Sequence, residues 1–368
     1  MIKKILFLLF IICTSNIHSQ NSTLSEKSSV SILTCGSGEE LYTTFGHTAI
    51  RVKDSINNLD VVYNYGAFDF REGNFYAKFV KGDLNYFINA SSYDDFISEY
   101  QLENREVVEQ TLNFSLIEKQ QIFDKLNASL FSDERYYNYK FIDKNCTTMV
   151  VEKINAIKGK ELIKKTDAIS ISYRTVLYPY FENHFWYKLG INIIFGAKVD
   201  ENATKLFLPI ELLHSLNKSK NLGQPLVLKQ ETIVKGIATQ LMFSFFNSIY
   251  VVILVLFLIA LSNNRTVFFS YLFLLGLLGI FFSLVGFYSF HKELLWNYNV
   301  LLFNPLYVIL PFLKNSKFRR NLIYILGFLH LLYVVILLNK SHFVLMIPFI
   351  LVTLYILYRL KPNTTTPI

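Results

Sequence analysis

A chain of 368 residues with 52% hydrophobic and 16% aromatic side chains, but only 17% charged ones, is too apolar to be wholly water-soluble. Its net charge of +8 is spread over membrane flanks and the globular part without an arginine-rich stripe, which argues against nucleic acid as a partner. The apolar excess is uneven: up to about Lys235 charged and apolar residues mix as in a globular domain, whereas from Leu241 onward charges almost vanish.

Met1 to Ser19 reads as a secretory signal, with Lys3 and Lys4 before the short apolar run Ile5 to Ile12 and small or polar residues up to Ser19. Bulky Ile12 before Cys13 argues against lipid attachment there. Export leaves Cys35 and Cys146 in an oxidising compartment, where a single disulfide is the plain structural alternative to any chemical role.

Ser31 to Cys35, Thr48 to Lys53 and Val61 to Tyr65 carry the β-branched and aromatic pattern of strands, and Asp54 to Asn58 supplies a turn between the last two, predicting a β-hairpin. Leu84 to Ile88 and Val107 to Phe114 read as further strands. Tyr93 to Leu102 and Ser115 to Phe131 read as helices, the second opened by Ser115 and Glu118 at capping-box spacing. The mixture predicts an α+β fold over residues 20–160, with an extension and linker over 161–240.

An all-α bundle of about five membrane-spanning helices is predicted over residues 241–360. The expected spans are Leu241 to Ser262, Val267 to Phe290, Leu294 to Leu313, Leu322 to Leu338 and Phe343 to Tyr358. If the soluble domain lies outside, Arg265, then Lys314, Lys317, Arg319 and Arg320, then Arg359 and Lys361 fall on the cytoplasmic side, as the positive-inside rule requires. This orientation predicts a multi-pass protein of the cytoplasmic membrane with its soluble domain outside, which in a bacterium is the periplasmic side of the inner membrane. The third span holds Trp296, Asn297, Asn299, Asn304 and Pro305. Polar groups there point to function unless they form an aromatic belt and a proline kink. With His291 they sit on the outer side, so His291, Trp296, Asn299 and Asn304 are candidate substrate-binding residues shared between the two halves.

The stretches Leu41 to Arg51 and Asp143 to Met149 carry the candidate chemistry. Asn145 is a good helix N-cap, Met149, Val150, Ile154 and Ile157 give the following helix an apolar face, and Gly159 closes it. Cys146 therefore falls in the first helical turn, where unpaired amides and the helix dipole favour thiolate. His47, where a strand begins, has the chemistry to exchange the proton that a thiol nucleophile sheds and a leaving group gains. Asn64, near the position opposite His47 in the hairpin, is the candidate third residue; the alternative is an exposed strand-edge asparagine. Cys35 is the rival nucleophile or second thiol, although it lacks a helix start. Tyr139, in the cluster Tyr136, Tyr137, Tyr139 and Phe141, lines either an acyl groove or the core, and Asn145 is the remaining candidate for substrate contact. His184 and His214 have no Cys or acidic partner at metal-ligand spacing, so no metal site and no cofactor is proposed.

The segments Leu33 to Tyr42, Phe45 to Val52, Tyr63 to Phe70 and Asp143 to Cys146 together resemble the Lnb N-terminal periplasmic domain family. The likeness continues through Trp186 to Gly190 and Phe207 to Glu211. The membrane half, with Trp296, Asn299, Asn304 and Pro305, is similar to the family's membrane-fused form. Such members resemble Lnb-type lipoprotein N-acyltransferases, and the His-before-Cys order is similar to circularly permuted papain-like folds of the NlpC/P60 and LRAT type. The resemblance implies that Cys146 is the nucleophile and His47 the base, leaving Asn64 and Cys35 open. It also implies a membrane phospholipid as acyl donor and diacylated lipoproteins as acceptors. A thiol amidase or peptidase acting on cell-envelope peptides is the alternative enzyme, and a receptor or assembly factor with bridged cysteines the non-enzymatic one.

Overall fold

Val30 and Ile32 alternate with Leu33 and Cys35 along one strand, and Ile50 and Val52 with Ala49 along the next, so both strands bury side chains on both faces. A sheet covered on two sides follows. The computed structural model describes residues 23–69, 71, 73–74, 77–78, 81–159, 161–236 and 243–362; the signal-peptide expectation, residues 1–19, lies outside them. It has a mixed α+β, sheet-rich N-terminal part and a helical C-terminal region.

Strands β1 (Ser28–Cys35), β2 (His47–Asp54), β3 (Leu59–Ala67), β4 (Asn85–Ser92), β5 (Val107–Leu112), β6 (Tyr136–Asn138) and β7 (Val227–Val234) form one antiparallel sheet in the order β6-β4-β3-β2-β1-β5-β7. The β2–β3 hairpin turns where Asp54 to Asn58 predicts it, with Asn58 at φ 50° and the Asp54 carboxylate accepting from the amides of Ser25 and Ile56. Within the extension expected after residue 160, β7 pairs with β5 and forms the edge of the sheet.

Helices α1 (Tyr93–Leu102), α2 (Leu116–Leu130) and α3 (Cys146–Lys158) cover the sheet. Phe96, Ile97 and Tyr100 of α1 pack on Leu33, Ala49 and Val62. Ile122 and Leu126 of α2, with Val150 and Ile154 of α3, pack among Ile32, Ile50 and Tyr63. The Ser115–Glu118 capping box forms as the spacing predicts, a device worth about 1 kcal/mol. Beyond α3 come α4 (Tyr173–Leu177), α5 (Phe185–Ile194) and α6 (Pro209–Lys218).

The C-terminal region contains α7 (Ile249–Leu261), α8 (Arg265–Tyr288), α9 (Ser316–Leu337) and α10 (Phe343–Leu360). Among the described residues α8, α9 and α10 are long and apolar enough to cross a membrane, while α7 is shorter. The predicted third span, Leu294 to Leu313, is not an α-helix. It is a chain of 3-10 turns, Lys292–Leu294, Tyr298–Leu301 and Pro305–Phe312, broken where Asn297 and Asn304 turn their side-chain oxygens to the amides of Asn299 and Leu306. The last of these runs antiparallel to α8. A Cβ on Gly279 would lie 1.8 Å from the Phe303 carbonyl and one on Gly276 2.8 Å from Val308, while Pro311 and Phe312 line a groove with Thr266 and Phe269. Only glycine allows backbones this close.

The two parts share packing and polar contacts. Phe185 and Leu189 of α5 belong to the apolar core of the helical region. The carbonyls at the end of α5, which have no partner within the helix, are received by side chains: Asn297 Nδ2 reaches Ile193 O (2.9 Å) and Ile194 O (3.0 Å), and Asn299 Nδ2 (3.0 Å) and Arg174 Nη1 (3.3 Å) reach Asn192 O, while Arg174 Nη2 reaches Gly196 O (3.2 Å) just beyond the helix. Arg174 is buried and pairs through Nε with Asp200 Oδ1 at 2.8 Å, and the Tyr298 hydroxyl donates to Asp200 Oδ2 at 2.6 Å.

Candidate active site

Gly46 sits at φ 77°, and a Cβ there would lie 2.5 Å from the Cys35 carbonyl, so the chain enters β2 through a turn that only glycine fits well. The next residue, His47, opens β2 opposite Cys35. On the other side Ala49 pairs with Asn64, and Asn64 reaches back diagonally so that its Oδ1 lies 2.7 Å from His47 Nε2. The same Oδ1 accepts the Gly66 amide at 2.7 Å, which identifies it as the oxygen and makes His47 Nε2 the donor. Nδ1 is thereby left to exchange a proton with another group. Gly66 provides the room, because a Cβ there would lie 2.4 Å from His47 Cε1.

Cys146 is delivered by the start of α3. Asn145 Oδ1 accepts the Thr148 amide (3.0 Å) while Thr148 Oγ1 accepts the Asn145 amide (2.7 Å), a reciprocal cap. Asn145 Nδ2 donates to Phe141 O (2.8 Å) and Phe207 O (2.9 Å). With both side-chain atoms engaged, Asn145 holds the helix start rather than presenting a group to a ligand. One residue on, Thr147 Oγ1 meets Thr48 Oγ1 at 3.0 Å, fastening the residue after the cysteine to the residue after the histidine.

Burial pushes the Cys146 thiol up, but the charge of His47, a hydrogen bond with His47 and one with the Thr48 backbone outweigh it, and the thiol ends below its ordinary value. Sulfur and imidazole, 99 positions apart in sequence, are thus partners in the fold. Cys35 is the opposite case. It is 1% exposed, and burial pushes its thiol up to about 12 despite a hydrogen bond from Tyr100. Both cysteines are free thiols. Of the two, Cys146 alone has the environment of a nucleophile.

Aromatic side chains surround the pair. Tyr139 stacks on Tyr86 with ring centroids 4.5 Å apart, and both, with Tyr137, lie close enough to Cys146 to feel its charge. Phe45, two residues before His47, packs on Phe141 (5.1 Å) and Tyr180 (5.4 Å), and Phe141 on Phe207 (5.9 Å). Tyr139 is therefore half-buried beside the site.

The candidates from the C-terminal half separate. Asn299 is buried, its Nδ2 on α5 carbonyls and its Oδ1 accepting the Tyr333 hydroxyl at 2.6 Å, and Asn304 caps a 3-10 turn. Both are joints of the fold. Trp296 is 84% exposed and adopts φ 54°, a strained backbone for a bulky residue. His291 packs on Gly82 and lies 4.0 Å from Glu293, whose Oε1 accepts the Ile142 amide at 3.1 Å. Gly66 and Glu293 are site elements that sequence reasoning passed over. The first is signalled only by its place in Tyr63-Asn64-Tyr65-Gly66, and the second by nothing local.

Residues 16–178 match the family model of the Lnb N-terminal periplasmic domain, a segment that contains His47, Asn64 and Cys146. No curated protein and no solved structure matches the chain. With the apolar helices that follow, this match over residues 16–178 points to a membrane protein with a periplasmic domain similar to the Lnb N-terminal periplasmic domain.

Proposed function

We propose that this chain is a lipoprotein N-acyltransferase of the cytoplasmic membrane. The observation that carries the reading is the Cys146–His47–Asn64 arrangement, inside an Lnb domain, on a chain with membrane-competent helices. The thiolate attacks an ester carbonyl of a phospholipid; a C–S bond forms, the C–O bond breaks, and the imidazolium of His47 protonates the departing lysophospholipid oxygen. The α-amine of a lipoprotein's diacylglyceryl-cysteine then attacks the thioester. A C–N bond forms, the C–S bond breaks, and His47 takes the amine proton, restoring the thiolate–imidazolium pair. Asn64 holds the ring by accepting from Nε2 throughout.

In this reading the chain crosses the membrane by α7, α8, the 3-10 segment, α9 and α10, which keeps Arg265, Lys314 to Arg320 and Arg359 cytoplasmic. Both substrates are held in the leaflet that the catalytic domain faces, so anchoring enzyme and substrates in one plane raises their effective concentration. The order His47 before Cys146 is that of a circularly permuted papain-like fold.

The deciding experiment gives the purified protein a phospholipid labelled in its acyl chains and a synthetic diacylated lipopeptide. Label should pass to the peptide amine with wild type and fail to do so with Cys146→Ala and His47→Ala. Undiminished transfer by Cys146→Ala would overturn the reading, and peptide-bond cleavage without acyl transfer would replace it with a thiol amidase.

A further inference from the structure

Glu293 lies in the 3-10 turn after α8 and is 2% exposed. A buried carboxylate is costly unless hydrogen-bonded, and this one takes its bond from the other half of the molecule. Its Oε1 accepts the Ile142 amide at 3.1 Å, 151 positions away in sequence. Its own backbone carbonyl accepts the Gly196 amide at 2.7 Å.

Ile142 occupies the middle of a closed turn, in which the amides of Lys140 and Lys144 each donate to the other's carbonyl at 2.8 and 3.0 Å. Asn145, the cap of α3, follows, and then Cys146. The turn's contacts with the helical half converge on one short segment. Lys292 Nζ is 3.6 Å from Asp143 Oδ2, and the Phe290 amide donates to Lys81 O at 2.7 Å, next to the glycine whose carbonyl receives Lys140 Nζ. The Glu293 bond stands out among these because it is buried, where a hydrogen bond is stronger than in water and costly to leave unmade.

We propose that Glu293 is a positioning residue for Cys146. A carboxylate from the membrane half fixes the turn that carries the nucleophile and so sets the sulfur against the imidazole. The soluble domain's site is complete only when the helical half is in place. The inference rests on reading Cys146 as the nucleophile, but its test needs no substrate.

The test measures alkylation of Cys146 by iodoacetamide against pH, in full-length protein in lipid nanodiscs, with the modified peptide identified by mass. The groups facing the sulfur, His47 on β2, Cys35 on β1, Tyr86 on β4, and Tyr137 and Tyr139 on or beside β6, are unchanged in every variant. Glu293→Ala should slow alkylation at pH 7 by about tenfold, the scale of one buried hydrogen bond, and move the midpoint upward. Glu293→Gln keeps an oxygen for the Ile142 amide and should react as wild type does. Wild-type behaviour in Glu293→Ala, or a Glu293→Gln as slow as the alanine variant, overturns the proposal. Should Glu293→Ala fail to accumulate, Glu293→Met, which fills the same space without an oxygen for the Ile142 amide, takes its place: slowed alkylation sustains the proposal and wild-type alkylation overturns it. A wild-type midpoint at or above that of an ordinary thiol instead refutes the nucleophile reading itself.

Discussion

Two polar clusters, one buried and one half-buried, use similar residue types to opposite ends. Where the halves meet, Arg174, Asp200, Tyr298, Asn299 and Asn297 satisfy one another and the carbonyl end of α5. Around Cys146, Asn64 and Asn145 are equally engaged, yet they leave one imidazole nitrogen and one thiol facing each other. The difference teaches that a buried asparagine or arginine signals a joint when all its valences are met, and that chemistry is found where a reactive pair is held with capacity to spare.

The largest effect that would sharpen this contrast is at the joint. Arg174→Leu removes the guanidinium that pairs with Asp200 and donates to the Gly196 carbonyl, and should cost about 3 kcal/mol, read as a lower melting temperature, while Cys146 in the folded fraction alkylates at the wild-type rate. A slowed thiol with unchanged stability would break the division. Next comes His47→Ala. The His47 charge that lowers the Cys146 thiol is gone while burial still raises it, so the alkylation midpoint should rise above the ordinary thiol value, with a rate loss at pH 7 of about a hundredfold. Asn64→Ala should cost about tenfold in acyl transfer, because the ring loses its orienting acceptor but keeps its place beside the sulfur. The smallest effect is expected from Cys35→Ala: unchanged transfer and unchanged alkylation at pH 7. Because the folded Cys35 thiol is raised to about 12, the unfolded chain loses that proton first, so wild type forfeits stability as pH climbs past 9 and the variant should forfeit less.

Much of the soluble fold was legible because its cues are local. Alternation marked β1 to β3, Asp54 to Asn58 marked the turn, and Ser115–Glu118 and Asn145 marked helix starts. The hairpin also brought Asn64 within reach of His47, although by a diagonal contact rather than the direct pairing with Ala49. Hydropathy registered the apolar residues of the third span but not its backbone. Which shape those residues adopt depended on Gly276 and Gly279 of a different helix and on the carbonyls of α5. For the same reason Asn299 reads as functional from sequence, since partners more than 100 positions away leave no trace near it, whereas Asn304 caps a turn only two residues on.

The space that Gly66 leaves open has a sharper implication. Its backbone lies outside the left-handed region, so alanine is conformationally permitted there, yet the added methyl would overlap the ring of His47. Gly66→Ala should therefore yield a well-folded protein with every reacting group retained and the imidazole evicted from its seat, silent in acyl transfer. Loss of function by crowding, with nothing removed, would show that the vacancy beside β3 belongs to the catalytic apparatus as much as the side chains that border it.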